Sequence, residues 1–128
     1  MMKMILASLW LGLAVSAHEG HDAPGAITAP KGGIVRSLEE VHLELLAEGK
    51  TLRLYAYSTD LKPADVTKYP VSATVTLPKK KAVALPLVAK GDHWEAQFDA
   101  KGAHRYKLEI RIQQGGHDDK VSYNVEPK

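Results

Sequence analysis

From Ile34 onward the chain breaks into short runs in which Val, Leu, Ile and Tyr alternate with polar residues, and turn-forming residues separate the runs. A period of two marks strands with one face buried. The first clear strand covers Val41 to Ala47, with Val41, Leu43 and Leu45 on one face and His42 and Glu44 on the other. Glu48-Gly49-Lys50 turns the chain into Thr51 to Ser58, where Leu52, Leu54 and Ala56 alternate with Arg53, Tyr55 and Tyr57. The pair reads as a hairpin. Residues 60–70, with Pro63 and Pro70, form the longest irregular connection and are expected to cross between sheets.

Further strands are expected at Val71 to Leu77, Ala82 to Val88, Trp94 to Phe98 and Arg105 to Gln113. A loop from Gln114 to Asp119 then leads into a last strand with Val121, Tyr123 and Val125 inward. About seven or eight short strands, no helical stripe and a turn about every ten residues predict an all-β fold, an immunoglobulin-like β-sandwich. The run from Gly102 to Tyr106 suits the corner where such sandwiches change sheets.

Residues 1–33 follow neither period. Lys3, an apolar run from Met4 to Val15 and the small residues of Val15-Ser16-Ala17 have the form of a secretory signal peptide cleaved after Ala17. The apolar run is shorter than the roughly 20 residues of a membrane span, so no span is expected after cleavage. Residues 18–33, rich in Gly, Pro, Ala and His, read as a flexible arm, and residues 34–128 as one domain. The expected location is therefore periplasmic or secreted.

Removing residues 1–17 leaves 111 residues and takes away Lys3, so 16 basic side chains face 15 acids. That balance offers no electrostatic footprint for nucleic acid. The chain has no cysteine, and its three methionines all lie in the signal segment. Disulfides, thiolate nucleophiles and iron–sulfur clusters are excluded, and any bound metal must be held by nitrogen and oxygen, which points to copper(II), zinc, nickel or cobalt. No nucleophile elbow, phosphate-binding loop or H-E-x-x-H motif is present. The reading is of a protein that is not an enzyme.

Six histidines remain as candidate chemistry. Cleavage after Ala17 makes His18 the new N-terminus, which sets a free α-amine beside its imidazole as a chelate for copper(II), with His21 and Asp22 close enough to add ligands. The arm is either a metal site or a soluble leader. His42 and Glu44 point the same way from one strand, as two ligands do; equally, they fit a solvent-facing surface with Glu44 paired to Arg53 across the hairpin. Structural roles are expected for His93 and His104, which begins a core-facing register with Tyr106. His117-Asp118-Asp119 reads as a polar loop.

The runs PKGGIV (30–35), VHLELLAEGKTLRLY (41–55) and LKP (61–63) resemble a family of small exported domains with the pattern P-H-G-G-x-V, H-x-E-L-V, L-x-L-Y and K-P. Such domains occur at the periplasmic end of adaptor subunits of heavy-metal efflux pumps and as free-standing proteins. The resemblance implies metal ligation by the His of P-H-G-G, replaced here by Lys31, and by the His of H-x-E-L, which is His42. A looser likeness, carried by His18 and fold class, is to small periplasmic copper-resistance β-sandwiches. Together these readings predict a periplasmic protein that sequesters or delivers copper(II) or zinc through His18, His21, Asp22, His42 and Glu44. An efflux-pump or other envelope protein is the implied partner. The alternative is an immunoglobulin-like interaction module of the envelope with no metal role.

Overall fold

The computed structural model describes residues 27–127. Strands β1 (Ile34–Ser37), β2 (His42–Glu48) and β3 (Thr51–Tyr57) form a meander, and the chain then crosses to β4 (Val71–Thr76). Two short strands follow, β5 (Val83–Ala84) and β6 (Val88–Ala89), then β7 (His93–Gln97), β8 (Tyr106–Gln114) and β9 (His117–Val125). They pair antiparallel in two sheets, in the orders β1-β2-β3-β7-β6 and β9-β8-β4-β5. With β2, β3, β7 and β6 as strands A, B, E and D, and β9, β8 and β4 as G, F and C, this is the immunoglobulin-like arrangement, with β1 and β5 as added edges.

The alternation read from sequence decides which side chains fill the space between the sheets. Leu43 and Leu45 of β2, Leu52 and Leu54 of β3 and Trp94 of β7 face Val75 of β4, Leu108, Ile110 and Ile112 of β8 and Tyr123 of β9, all buried. Burial of a side chain of this size is worth about 1.5–3 kcal/mol. The connection from Ser58 to Pro70 crosses between sheets as expected. It is held by Val66, which is fully buried and whose N–H donates to the Gly91 carbonyl at 2.9 Å.

Two expectations are corrected. The segment Ala82 to Val88 is not one strand, because β5 pairs with β4 while β6 pairs with β7 in the other sheet. Leu85 N–H still donates to the Ala73 carbonyl at 2.9 Å, but Pro86 has no N–H to continue the ladder. The expected loop from Gln114 to Asp119 is a two-residue hairpin turn, with Gly115 and Gly116 at φ 56° and 83°, so β9 already begins at His117. Positive φ at both central positions is the condition for the tight turn whose twist matches the strands, and glycine meets it without strain. Tyr106 does open β8 at the sheet-changing corner, its ring edge-on to Phe98 at 4.8 Å, with burial pushing its hydroxyl up to about 12. His104, by contrast, is exposed and lies ahead of the strand.

Tyr123 ties the sheets together at one edge. Its hydroxyl donates to the Leu43 carbonyl at 3.0 Å, and the Arg36 guanidinium lies over its ring at 5.1 Å. Arg36 Nε also donates to the Ser122 carbonyl at 3.1 Å. Replacing Tyr123 by Phe removes the hydroxyl but keeps the ring, and should lower unfolding free energy by about 1 kcal/mol. Urea denaturation would read this as a lower midpoint at unchanged slope.

Candidate functional site

The outer face of the five-stranded sheet carries the polar residues left over once the core is filled. Each row across the sheet is set by register: Ser37, His42 and Tyr57 stand side by side on β1, β2 and β3, and Val35, Glu44, Tyr55 and His93 make the next row. His42 is 8% exposed, with Nδ1 at 2.9 Å from Ser37 Oγ.

Glu44 is fully buried. A carboxylate removed from water is tolerated only where donors replace its hydration. Oε2 accepts Gly33 N–H at 2.7 Å and Lys31 N–H at 3.0 Å, and Oε1 accepts the Tyr57 hydroxyl at 2.7 Å. The Tyr57 phenol is raised far above its ordinary range by burial and by this carboxylate. Arg53 does not pair with Glu44; it reaches Glu48 at 2.8 Å and Glu95 at 3.3 Å. The sequence reading of an exposed Glu44–Arg53 pair is thus corrected. A metal ion at Glu44 would compete with these hydrogen bonds.

The same bonds fix residues 30–33, which the sequence placed in the arm, as a turn on the sheet. Gly33 packs so closely that an added Cβ would strike the Leu45 carbonyl, which explains glycine at this position. The Lys31 ammonium lies 4.8 Å from the centre of the Tyr55 ring, a cation–π geometry. Tyr55 in turn packs against His93, ring centres 4.6 Å apart, and His93 Nδ1 donates to Asp92 at 2.8 Å. Sequence reasoning missed His93 on this face, because its partners come from a neighbouring strand and a turn.

His18, His21 and Asp22 lie outside the described residues. Among those described, no group of three or more His, Asp or Glu side chains is placed to hold a metal ion, and no helix is long and apolar enough to cross a membrane.

Comparison with known proteins agrees on architecture. Crystal structures of a DUF4426 family protein from Pseudomonas aeruginosa PAO1 and of FetP from uropathogenic E. coli strain F11, expressed in the periplasm of E. coli, superpose with TM-scores of 0.54 and 0.52. Each is 14% identical and matches 73% of this chain, which spans 94% and 92% of their lengths. The chain shares their fold. No family model and no curated protein matches it.

Removing the Glu44 carboxylate leaves the buried Tyr57 hydroxyl and two part-buried amides without their acceptor, which should be costly. Glu44→Ala is expected to destabilise the domain by about 3 kcal/mol or more, and Tyr57→Phe, which leaves the backbone donors served, by about 1 kcal/mol. Thermal or urea unfolding of the two variants checks both values.

Proposed function

We propose that the chain is an exported, non-enzymatic protein that binds copper(II) or zinc for sequestration or delivery in metal efflux or resistance. Its N-terminal arm supplies His18 with its α-amine, His21 and Asp22. The observation that carries this reading is the anchoring of Lys31 and Gly33 by Glu44. It roots the arm on the sheet face that bears His42 and His93. Nine residue steps lead from Asp22 to Lys31, a contour of up to about 30 Å, while adjacent strands lie about 5 Å apart. Arm ligands can therefore meet His42 without moving the domain. Glu44 serves by holding the root of the arm, and His42 is the member of that pair with a ring nitrogen to offer.

The resemblance to domains of heavy-metal efflux adaptors supports the same reading, with Lys31 in place of one histidine of their pattern. The periplasmic expression of FetP, a protein of the same fold, agrees with an exported location. A second reading, an envelope interaction module that docks onto an efflux-pump or other partner, draws on Val83 and Val88. These are 54% and 56% exposed on the two short edge strands.

Calorimetric titration of the protein beginning at His18 with copper(II) should show one tight site. Deleting residues 18–22 should weaken it by at least about a hundredfold, roughly 2.7 kcal/mol. Binding no tighter than that of a simple histidine peptide would leave the interaction module as the working description.

A further inference from the structure

The charges of the sandwich are shared unevenly between its two ends. Three turns meet at one of them. The β2–β3 turn is joined to the segment after β7 by Phe98 N–H, which donates to the Lys50 carbonyl at 2.8 Å, and by the Lys50–Asp99 ion pair at 3.5 Å. Thr76 stands opposite Lys107 in the sheet, which sets the turn after β4 beside the start of β8. This end thereby gathers Lys79, Lys80, Lys81, Lys101, Arg105 and Lys107, all exposed. Among the described residues none of them is in an ion pair, while the acids Glu48 and Asp99 are taken by Arg53 and Lys50. Glu126, just after β9, is the remaining acid of this end.

At the other end the turns that carry Glu39, Asp65, Asp92 and Asp119 meet, joined by Val66 N–H to the Gly91 carbonyl and by Glu40 N–H to Gln114. These acids have local partners. Asp65 accepts the Thr67 N–H and hydroxyl, Asp92 takes the His93 ring, and Glu39 and Asp119 both face His117. The acidic end of a second copy is thus already occupied, whereas the cations of the basic end set up a positive potential that an outside anion relieves.

The backbone supplies a second observation. Of the non-glycine residues with positive φ among the described residues, Leu61, Lys79 and Lys101, two are lysines of this end, at 62° and 52°. The left-handed conformation disfavours a residue with a Cβ, and glycine adopts it without strain. Lysine at both places gives up backbone ease for an exposed cation. A conformational outlier of this kind points to function.

Shape then selects the partner. The cations come from separate turns, on long side chains, over the end of a sandwich. The clefts of about 460 and 210 Å³ are lined instead by residues of the acidic end and its neighbouring strands. A single carboxylate or phosphate is held by converging donors, while a layer of anionic headgroups is met by cations spread over a surface. Val83, two residues beyond Lys81 and 54% exposed, adds an apolar side chain beside them. Apolar area and positive charge together are what bind a protein to a membrane surface.

We propose that this end of the sandwich docks on the headgroups of an anionic phospholipid membrane, with the acidic end turned away. Each cation near such a surface contributes about fivefold in affinity, and the attraction fades within a Debye length of about 10 Å at 0.1 M salt. The inference goes beyond metal binding and requires no metal.

The test is co-sedimentation with vesicles of phosphatidylglycerol and phosphatidylcholine, and with phosphatidylcholine alone, in EDTA so that the arm's metal chemistry stays out of the measurement. The protein begins at His18, which leaves out the apolar run from Met4 to Val15. Binding is expected to the mixed vesicles only, and should be lost near about 1 M salt. Lys79→Gly with Lys101→Gly removes two charges where glycine relaxes the backbone, so the fold is kept; it should weaken binding by at least about tenfold. Lys62→Ala with Lys90→Ala removes the same charge from the other end and should leave binding unchanged. No binding to the mixed vesicles, or an equal loss from both pairs, overturns the proposal. So does capture of the protein by polyglutamate in preference to vesicles, which identifies the partner as an acidic protein.

Discussion

The structure turns on a buried carboxylate. Glu44 is fully enclosed within a sheet, and its charge is met by two backbone amides and a phenol instead of an arginine or lysine. Charge-assisted bonds of this kind are roughly twice as strong as neutral ones. Their loss would leave the buried carboxylate and the buried Tyr57 hydroxyl without partners. Because of that, the carboxylate dictates its neighbours: a turn with two inward N–H groups, a glycine where no Cβ fits, and a tyrosine opposite. Lys31, Gly33, Glu44, Tyr55 and Tyr57 are spread along the chain. In space they are one polar unit, in which Lys31 and Gly33 meet Glu44 and the strand holding Tyr55 and Tyr57 lies alongside.

That unit also explains how a sulfur-free domain of this size closes its first edge. The added strand β1 is clamped at its start by Glu44 and further along by Arg36, which crosses to Ser122 and covers the Tyr123 ring. Tyr123 completes the clamp by donating across the core to Leu43. One edge of the sandwich is thus fastened by hydrogen bonds to groups otherwise buried and unserved. The opposite edge ends in two-residue strands with exposed valines.

What was legible in the sequence is what a period of two can carry. β2, β3, β4, β7 and β8 alternate cleanly, so their cores and the sandwich class could be read directly. β5 and β6 could not, because a continuous apolar run ALPLV contains no mark of the point where it changes sheet except Pro86. The start of β9 was hidden because His-Asp-Asp has poor strand propensity, and only the Gly-Gly turn forces it into register. Glu44 misled for the opposite reason. A polar residue on the outer face of a strand reads as solvated, and nothing local reveals that residues 31–33 return to cover it. His117 likewise meets Glu39, its Nε2 3.4 Å from Oε1, only through the fold.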